Sequence, residues 1–188
     1  HNFGLTKKTI AGFEKWVGVN FAAHEVLFLL RGILSIQLQC AELEDRKVEF
    51  DAIDGALKEI SQNLKSGTVE GNGGSIMDRY AHLLPNGFFD TPEEQLELSL
   101  KAVSRLLALD EQNDSDTAIL VQPMVYGNYG KASCSGSFFS RDIVTGEKKL
   151  QGKFFEEKFD DINSVGKDIN LINPAFLKKL QQIAWMLE

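Results

Sequence analysis

Apolar residues recur at steps of three and four as far as about Leu109. Beyond the polar stretch Glu111 to Asp116 they gather instead into short runs broken by glycine, serine and proline. Helices keep the first rhythm and strands the second. One change of period confines the chain to an α+β architecture, with a helical part first and an α+β part after it. The expected division is a helical subdomain over 1–85 and an α+β subdomain over 86–188.

Within the first part, Thr6 is placed to cap a helix that carries Ile10, Phe13 and Val17 on one face and ends at Gly18. From Ala22 to about Cys40 the run containing Val26, Leu27, Leu30 and Leu34 is apolar around most of the cylinder, as in a helix covered on several sides. Phe50, Ile53, Leu57, Ile60 and Leu64 form a one-sided stripe suited to packing across it. Residues 65–75, KSGTVEGNGGS, lack periodicity and read as a flexible connection; they also lack the Lys-Ser/Thr of a phosphate-cradling P-loop. Thr91-Pro92-Glu93-Glu94 then gives an N-cap, a first-turn proline and an acidic third position, which predicts a helix to about Leu109 with Leu96, Leu100, Val103 and Leu107 on its face.

Further on, Ala118 to Gln122 reads as a buried strand, closed by Pro123, which has no amide donor. Ser133 to Ser140 forms a second strand, and Gly146 suits the positive φ of a turn leading into Leu150 and Lys153-Phe154-Phe155. Asn173-Pro174 starts a last helix lined by Phe176, Leu177, Leu180, Ile183, Ala184 and Leu187.

The chain is 188 residues long, with 43% hydrophobic and 25% charged residues, enough apolar material for a core. Its net charge of -7 has the wrong sign for broad attraction to nucleic acid or an anionic membrane surface, so neither is expected as a partner. Cys40 and Cys134 complete no CxxC or Cys/His spacing for zinc, which favours a reducing, cytoplasmic setting. The apolar run Val26 to Leu38 contains Arg31 and falls short of the ~20 residues of a bilayer span, so it reads as a core helix. The opening His1-Asn2-Phe3-Gly4-Leu5 reads as a cut from a longer chain.

Three ordered segments carry a resemblance. Val121-Gln122-Pro123-Met124-Val125-Tyr126-Gly127-Asn128, then Ser133-Cys134-Ser135-Gly136-Ser137-Phe138-Phe139-Ser140-Arg141, then Thr145-Gly146-Glu147-Lys148-Lys149-Leu150 resemble the VQ-x-MVFGN, SGTGV-x-FTR and TGEKKLYGEF segments of the pyruvate phosphate dikinase family. Upstream, Thr91 to Leu96 is similar to the family's DP-x-EQL helix and Asn2-Phe3-Gly4-Leu5 to its NLGL segment. The resemblance implies an ATP-grasp-like lobe with a short antiparallel sheet and flanking helices. ATP and Mg2+ would be its cofactors, and phosphoryl would pass to a histidine on a separate swivelling domain as pyruvate and phosphoenolpyruvate interconvert. It allows a homodimeric parent. It also implies adenine contacts at Gln122, Met124 and Val125, with Ser135, Gly136 and Arg141 toward the nucleotide. Beside these roles stand simpler ones: a core strand for 121–125, a bulge at Gly136, and a surface ion pair of Arg141 with Asp142 or Glu147.

Two departures bear on mechanism. Gly152-Lys153-Phe154 puts a lysine where the family has a glutamate read as a metal and nucleotide ligand, and an ammonium group cannot bind magnesium. The family's NAQGED segment gives way to Glu156 to Gly166, where Asp160 and Asp161 offer carboxylates at no defined metal spacing, so the metal ligands stay unassigned. The family's N-terminal lobe precedes NLGL, so residues 1–188 alone are expected neither to close around ATP nor to catalyse transfer. Two readings compete: the ATP-binding part of a divergent dikinase, or a noncatalytic relative serving as a binding module.

Overall fold

The helical period of the first half is realised as five helices: α1 (Ile10–Val17), α2 (Val19–Leu43), α3 (Lys47–Ser66), α4 (Gly73–Tyr80) and α5 (Pro92–Leu109). In the second half, strands β1 (Cys134–Phe139), β2 (Gln151–Glu156) and β3 (Lys167–Asp168) are followed by α6 (Pro174–Met186). The computed structural model describes residues 3–67, 69–109, 118–157 and 165–188. Helices first and an antiparallel sheet after make the fold α+β. The chain forms two compact units, 1–121 and 122–188, each with its own core.

In the first unit α2 is the axle, and α1, α3, α4 and α5 all pack on it. Val26, Leu30 and Leu34 are fully buried, and α3 answers with Ile53 and Ile60 at 0% exposure. Each such side chain contributes about 2 kcal/mol through removal of apolar area from water. By length and composition alone α2 would be long and apolar enough to cross a membrane. Its packing explains the same hydropathy as that of a core helix.

Gly18 separates α1 from α2 at φ +90°, a conformation that a β-carbon disfavours. The cap of α1 falls at Thr9 rather than Thr6: the amides of Thr9 and Ile10 both donate to the Thr6 carbonyl, forming a turn ahead of the helix. The tract 65–75 is only partly a loop. α3 continues to Ser66, and Asn72 starts α4 with a reciprocal capping box, its Oδ1 accepting from the Ser75 amide at 2.8 Å. Such a cap stabilises a helix start by about 1 kcal/mol. Glu14 of α1 adds a second acceptor there, taking the Gly73 amide at 2.8 Å.

α5 begins as its start signals indicate, with the Thr91 hydroxyl accepting the Glu94 amide at 3.2 Å. The side it turns to the core differs from the expected one. Gln95 is fully buried and Leu98 and Ala102 pack on the core, whereas Leu96, Leu100, Val103 and Leu107 are half-buried. The helix carries two apolar stripes, and periodicity does not say which one its neighbours cover.

In the second unit the sheet order is β1-β2-β3, antiparallel throughout, with Gly136 opposite Phe154 and Gly152 opposite Phe138. Gly146 takes φ +75° in the connection between β1 and β2. Leu150, Phe154, Ile169, Ile172 and Ala184 form the core. Asn173 caps α6 by accepting the Ala175 amide at 2.9 Å. Of the residues expected to line α6, Leu177, Leu180 and Ala184 pack inward, while Phe176, Ile183 and Leu187 are exposed. No strand forms over 118–125, and Leu120 is 81% exposed. An apolar run becomes a strand only where a neighbouring edge pairs its amides and carbonyls, and no such edge engages this run among the described residues.

Candidate functional site

The segment from Gln122 to Asn128 enters the second unit as irregular chain. Gln122, Met124 and Val125 are exposed, and among the described residues no hydrogen bond engages Gln122, Pro123, Met124 or Val125. Gly127 is buried against the start of β1: a β-carbon there would lie 2.9 Å from Ser135 Cβ and 3.0 Å from the Cys134 carbonyl oxygen. This close approach brings the end of the segment to Ser135, two of the sequence motifs thus meeting in space.

Ser135 pairs with Phe155 and Gly136 with Phe154. Gly136 is dictated by packing: an added β-carbon would lie 2.4 Å from the Lys153 carbonyl oxygen. Arg141 follows the far end of β1. At about 3.4 Å per residue, roughly 20 Å of extended chain separates it from Ser135. Its guanidinium donates to the Gly146 carbonyl at 3.0 Å and to Glu188 Oε2 at 2.9 Å, so it braces the β1–β2 connection and the end of the chain. A hydrogen bond from Ser140, reinforced by Arg141, holds the Glu188 carboxyl below the usual glutamate range. Neither Asp142 nor Glu147 pairs with Arg141. Asp142 instead folds the turn, its Oδ1 accepting the amides of Thr145 and Val144 at 2.8 and 2.9 Å, and these donors depress its pKa.

Lys153 is exposed on β2, opposite Ser137 on one side and Asp168 on the other. Asp160 and Asp161 lie outside the described residues, among which no cluster of three or more His, Cys, Asp or Glu side chains could hold a metal ion.

Two arrangements escaped the sequence reading. Gln95 reaches back to the N-terminal segment, its Oε1 accepting the Gly4 amide at 2.6 Å and its Nε2 donating to the Leu5 carbonyl at 2.8 Å. Glu44 gathers two guanidinium groups: Arg105 grips it through two hydrogen bonds of 2.9 and 2.6 Å, and Arg46 donates at 2.7 Å. The Arg105 bonds, with help from Arg46, lower the Glu44 pKa. Gln95 with Gly4 and Glu44 with Arg105, 91 and 61 positions apart, leave no local pattern to read.

No family model matches the chain, and no solved structure matches it. Curated relatives do. Pyruvate, phosphate dikinase of Treponema pallidum is 52% identical over all 188 residues, which cover 21% of that protein. The protein of the same name from Rickettsia typhi is 43% identical over 125 residues, 52% of this chain and 14% of the relative. The chloroplastic form from Flaveria trinervia is 26% identical over 183 residues, 89% of this chain and 18% of the relative. The chain thus spans about a fifth of the length of the first of these relatives. Along its entire length, this chain is a homologue of one stretch of pyruvate, phosphate dikinase.

Proposed function

We propose that the chain is part of the ATP-binding domain of a divergent pyruvate, phosphate dikinase, of ATP-grasp type, with residues 122–125 as the adenine hinge. The observation that carries this reading is 52% identity to such a protein over every residue of the chain. Local geometry supports it: the backbone at Gln122 to Val125, unpaired among the described residues, fits an adenine edge, which needs a donor and an acceptor side by side. Met124 and Val125, both exposed, would cover the ring. Ser135 and Gly136 would present hydroxyl and backbone to the nucleotide, and Arg141 would turn its guanidinium to phosphate, giving up Glu188 to do so. Bound ATP would supply the phosphoryl group, passed to a histidine on another domain of a longer protein, between pyruvate and phosphoenolpyruvate.

A second reading, a noncatalytic binding module, is favoured by Lys153, which stands where the family resemblance calls for a carboxylate. The described residues do not fit magnesium, so no step is assigned to the metal.

Calorimetric titration with ATP, with and without magnesium, tests the assignment in the longest natural polypeptide that contains this sequence. Val125→Pro removes the proposed hinge amide in a segment that no described residue engages by a hydrogen bond, and is expected to weaken ATP about tenfold while leaving the fold intact. Equal affinity in the variant rejects the hinge. No binding by the parent polypeptide rejects nucleotide binding altogether and leaves the noncatalytic reading.

A further inference from the structure

The first unit holds an open groove of about 990 Å³ between the end of α2, the start of α3, residues 82–85 and α5. Its volume lies at the upper end of the range of small-molecule sites, roughly 300–1,000 Å³. The floor is apolar, built by Cys40, Ile53, Leu84, Leu98 and Ala102. The lining is basic: Arg46, Lys47, Lys101 and Arg105 against a single carboxylate, Glu49, within a chain whose net charge is -7. Such a local reversal of sign concentrates anions.

Neutralisation is partial. Lys101 pairs with Glu97 at 2.6 Å, Arg46 with Glu44 and Glu49, and Arg105 with Glu44. Arg105 grips Glu44 through Nε and Nη2, and among the described residues Nη1 has no acceptor and Lys47 pairs with no carboxylate. Because Arg46 and Arg105 both meet the same oxygen of Glu44, at 2.7 and 2.6 Å, their guanidinium groups are held together. A further observation asks for a ligand. Gln37 lines the groove, and its Oε1, shut off from solvent, meets no donor among the described residues. An enclosed acceptor without a donor costs about 1–3 kcal/mol, which an arriving N–H or O–H can recover.

We propose that this groove is a binding site for a small organic anion with an apolar ring. The anionic group would meet Lys47 and the edges of Arg46 and Arg105 that no described residue engages, the ring would rest on Ile53, Leu98 and Ala102, and a ring N–H or O–H would donate to Gln37 Oε1 once the Gln37 amide turns toward the groove. The site lies wholly in the helical unit and does not depend on the hinge assignment.

Indole-3-propionate carries all three features, and the full 188-residue chain, labelled with 15N, is the target. Saturable shifts are expected at Lys47, Ala102 and Arg105, with a Kd of roughly a millimolar or tighter. Naphthalene-1-propionate, lacking the N–H, and 3-indolepropanol, lacking the charge, are each expected to bind at least fivefold more weakly; propionate alone is expected not to saturate. Lys47→Glu, at an exposed side chain without a partner among the described residues, should weaken indole-3-propionate at least fivefold with the rest of the spectrum unchanged. The absence of saturable shifts at these amides, equal binding of indolepropanol, or an unaltered Kd in Lys47→Glu would each overturn the proposal. Equal binding of the naphthalene compound would overturn the role of Gln37.

Discussion

Replacing Gln95 with leucine is expected to destabilise the helical unit by about 3 kcal/mol. The side chain is 0% exposed and makes three hydrogen bonds, to the Gly4 amide at 2.6 Å and to the carbonyls of Leu5 and Phe88 at 2.8 and 3.3 Å. Leucine fills a similar volume but leaves these backbone groups without their partner, and each group so stranded away from water costs about 1–3 kcal/mol. Gln95→Glu should behave differently. Its carboxylate can still accept from Gly4 but confronts two carbonyl oxygens, so burial and repulsion raise its pKa in the folded state. The unfolded state then ionises first, and the penalty grows as pH rises through about 4.3, the ordinary glutamate value, toward the raised folded one. Urea unfolding followed by circular dichroism at pH 4 and pH 7 measures both effects. A loss below about 1 kcal/mol in Gln95→Leu would mean that water takes over its bonds.

Gly152→Val is expected to cost the second unit about 3 kcal/mol or more, enough to melt its sheet. A β-carbon at Gly152 would lie 2.2 Å from the Ser137 carbonyl oxygen and 2.6 Å from Phe138 Cα. Both are backbone atoms, so no side-chain rotation relieves the overlap and the strands must part. Lys153→Thr on the same strand is the control. It replaces an exposed side chain with a good strand former and should change stability by less than about 0.5 kcal/mol. Amide exchange should show Gly152→Val opening β1 and β2 while α2 and α3 keep their protection, because each unit has its own core. Unchanged protection in β1 would show that the strands can separate locally without loss of pairing.

Element types were legible wherever the signal is local. The proline and caps at Thr91 and Asn173, the all-round apolar run of α2 and the turn at Gly146 name their elements because each depends on residues within a turn or two. Packing partners were not. α4 hid in a glycine-rich tract, since Asn72 and Ser75 make their reciprocal cap through geometry that composition obscures. The run 118–122 has a strand's side chains and no edge to pair with, and α5 has two candidate faces. At the candidate site, the motifs picked out the segment 122–128 and β1, and Gly127 against Ser135 joins them. The attachment of Arg141 to Gly146 and Glu188 depends on a contact 47 positions away. The same is true of Glu44 and Arg105, 61 positions apart. Only the folded chain shows such pairs.

The two cysteines fall one to each compact unit: Cys40 is buried beneath the groove and Cys134, half-buried, begins β1. The molecule therefore carries a chemical clock in each half. A thiol-modifying reagent reaches Cys134 through fraying of a sheet end, whereas Cys40, only 3% exposed on the floor of the groove, reacts as the packing of α2, α3 and α5 loosens around it. The ratio of the two labelling rates under native conditions reports how independently the halves breathe, with no probe introduced.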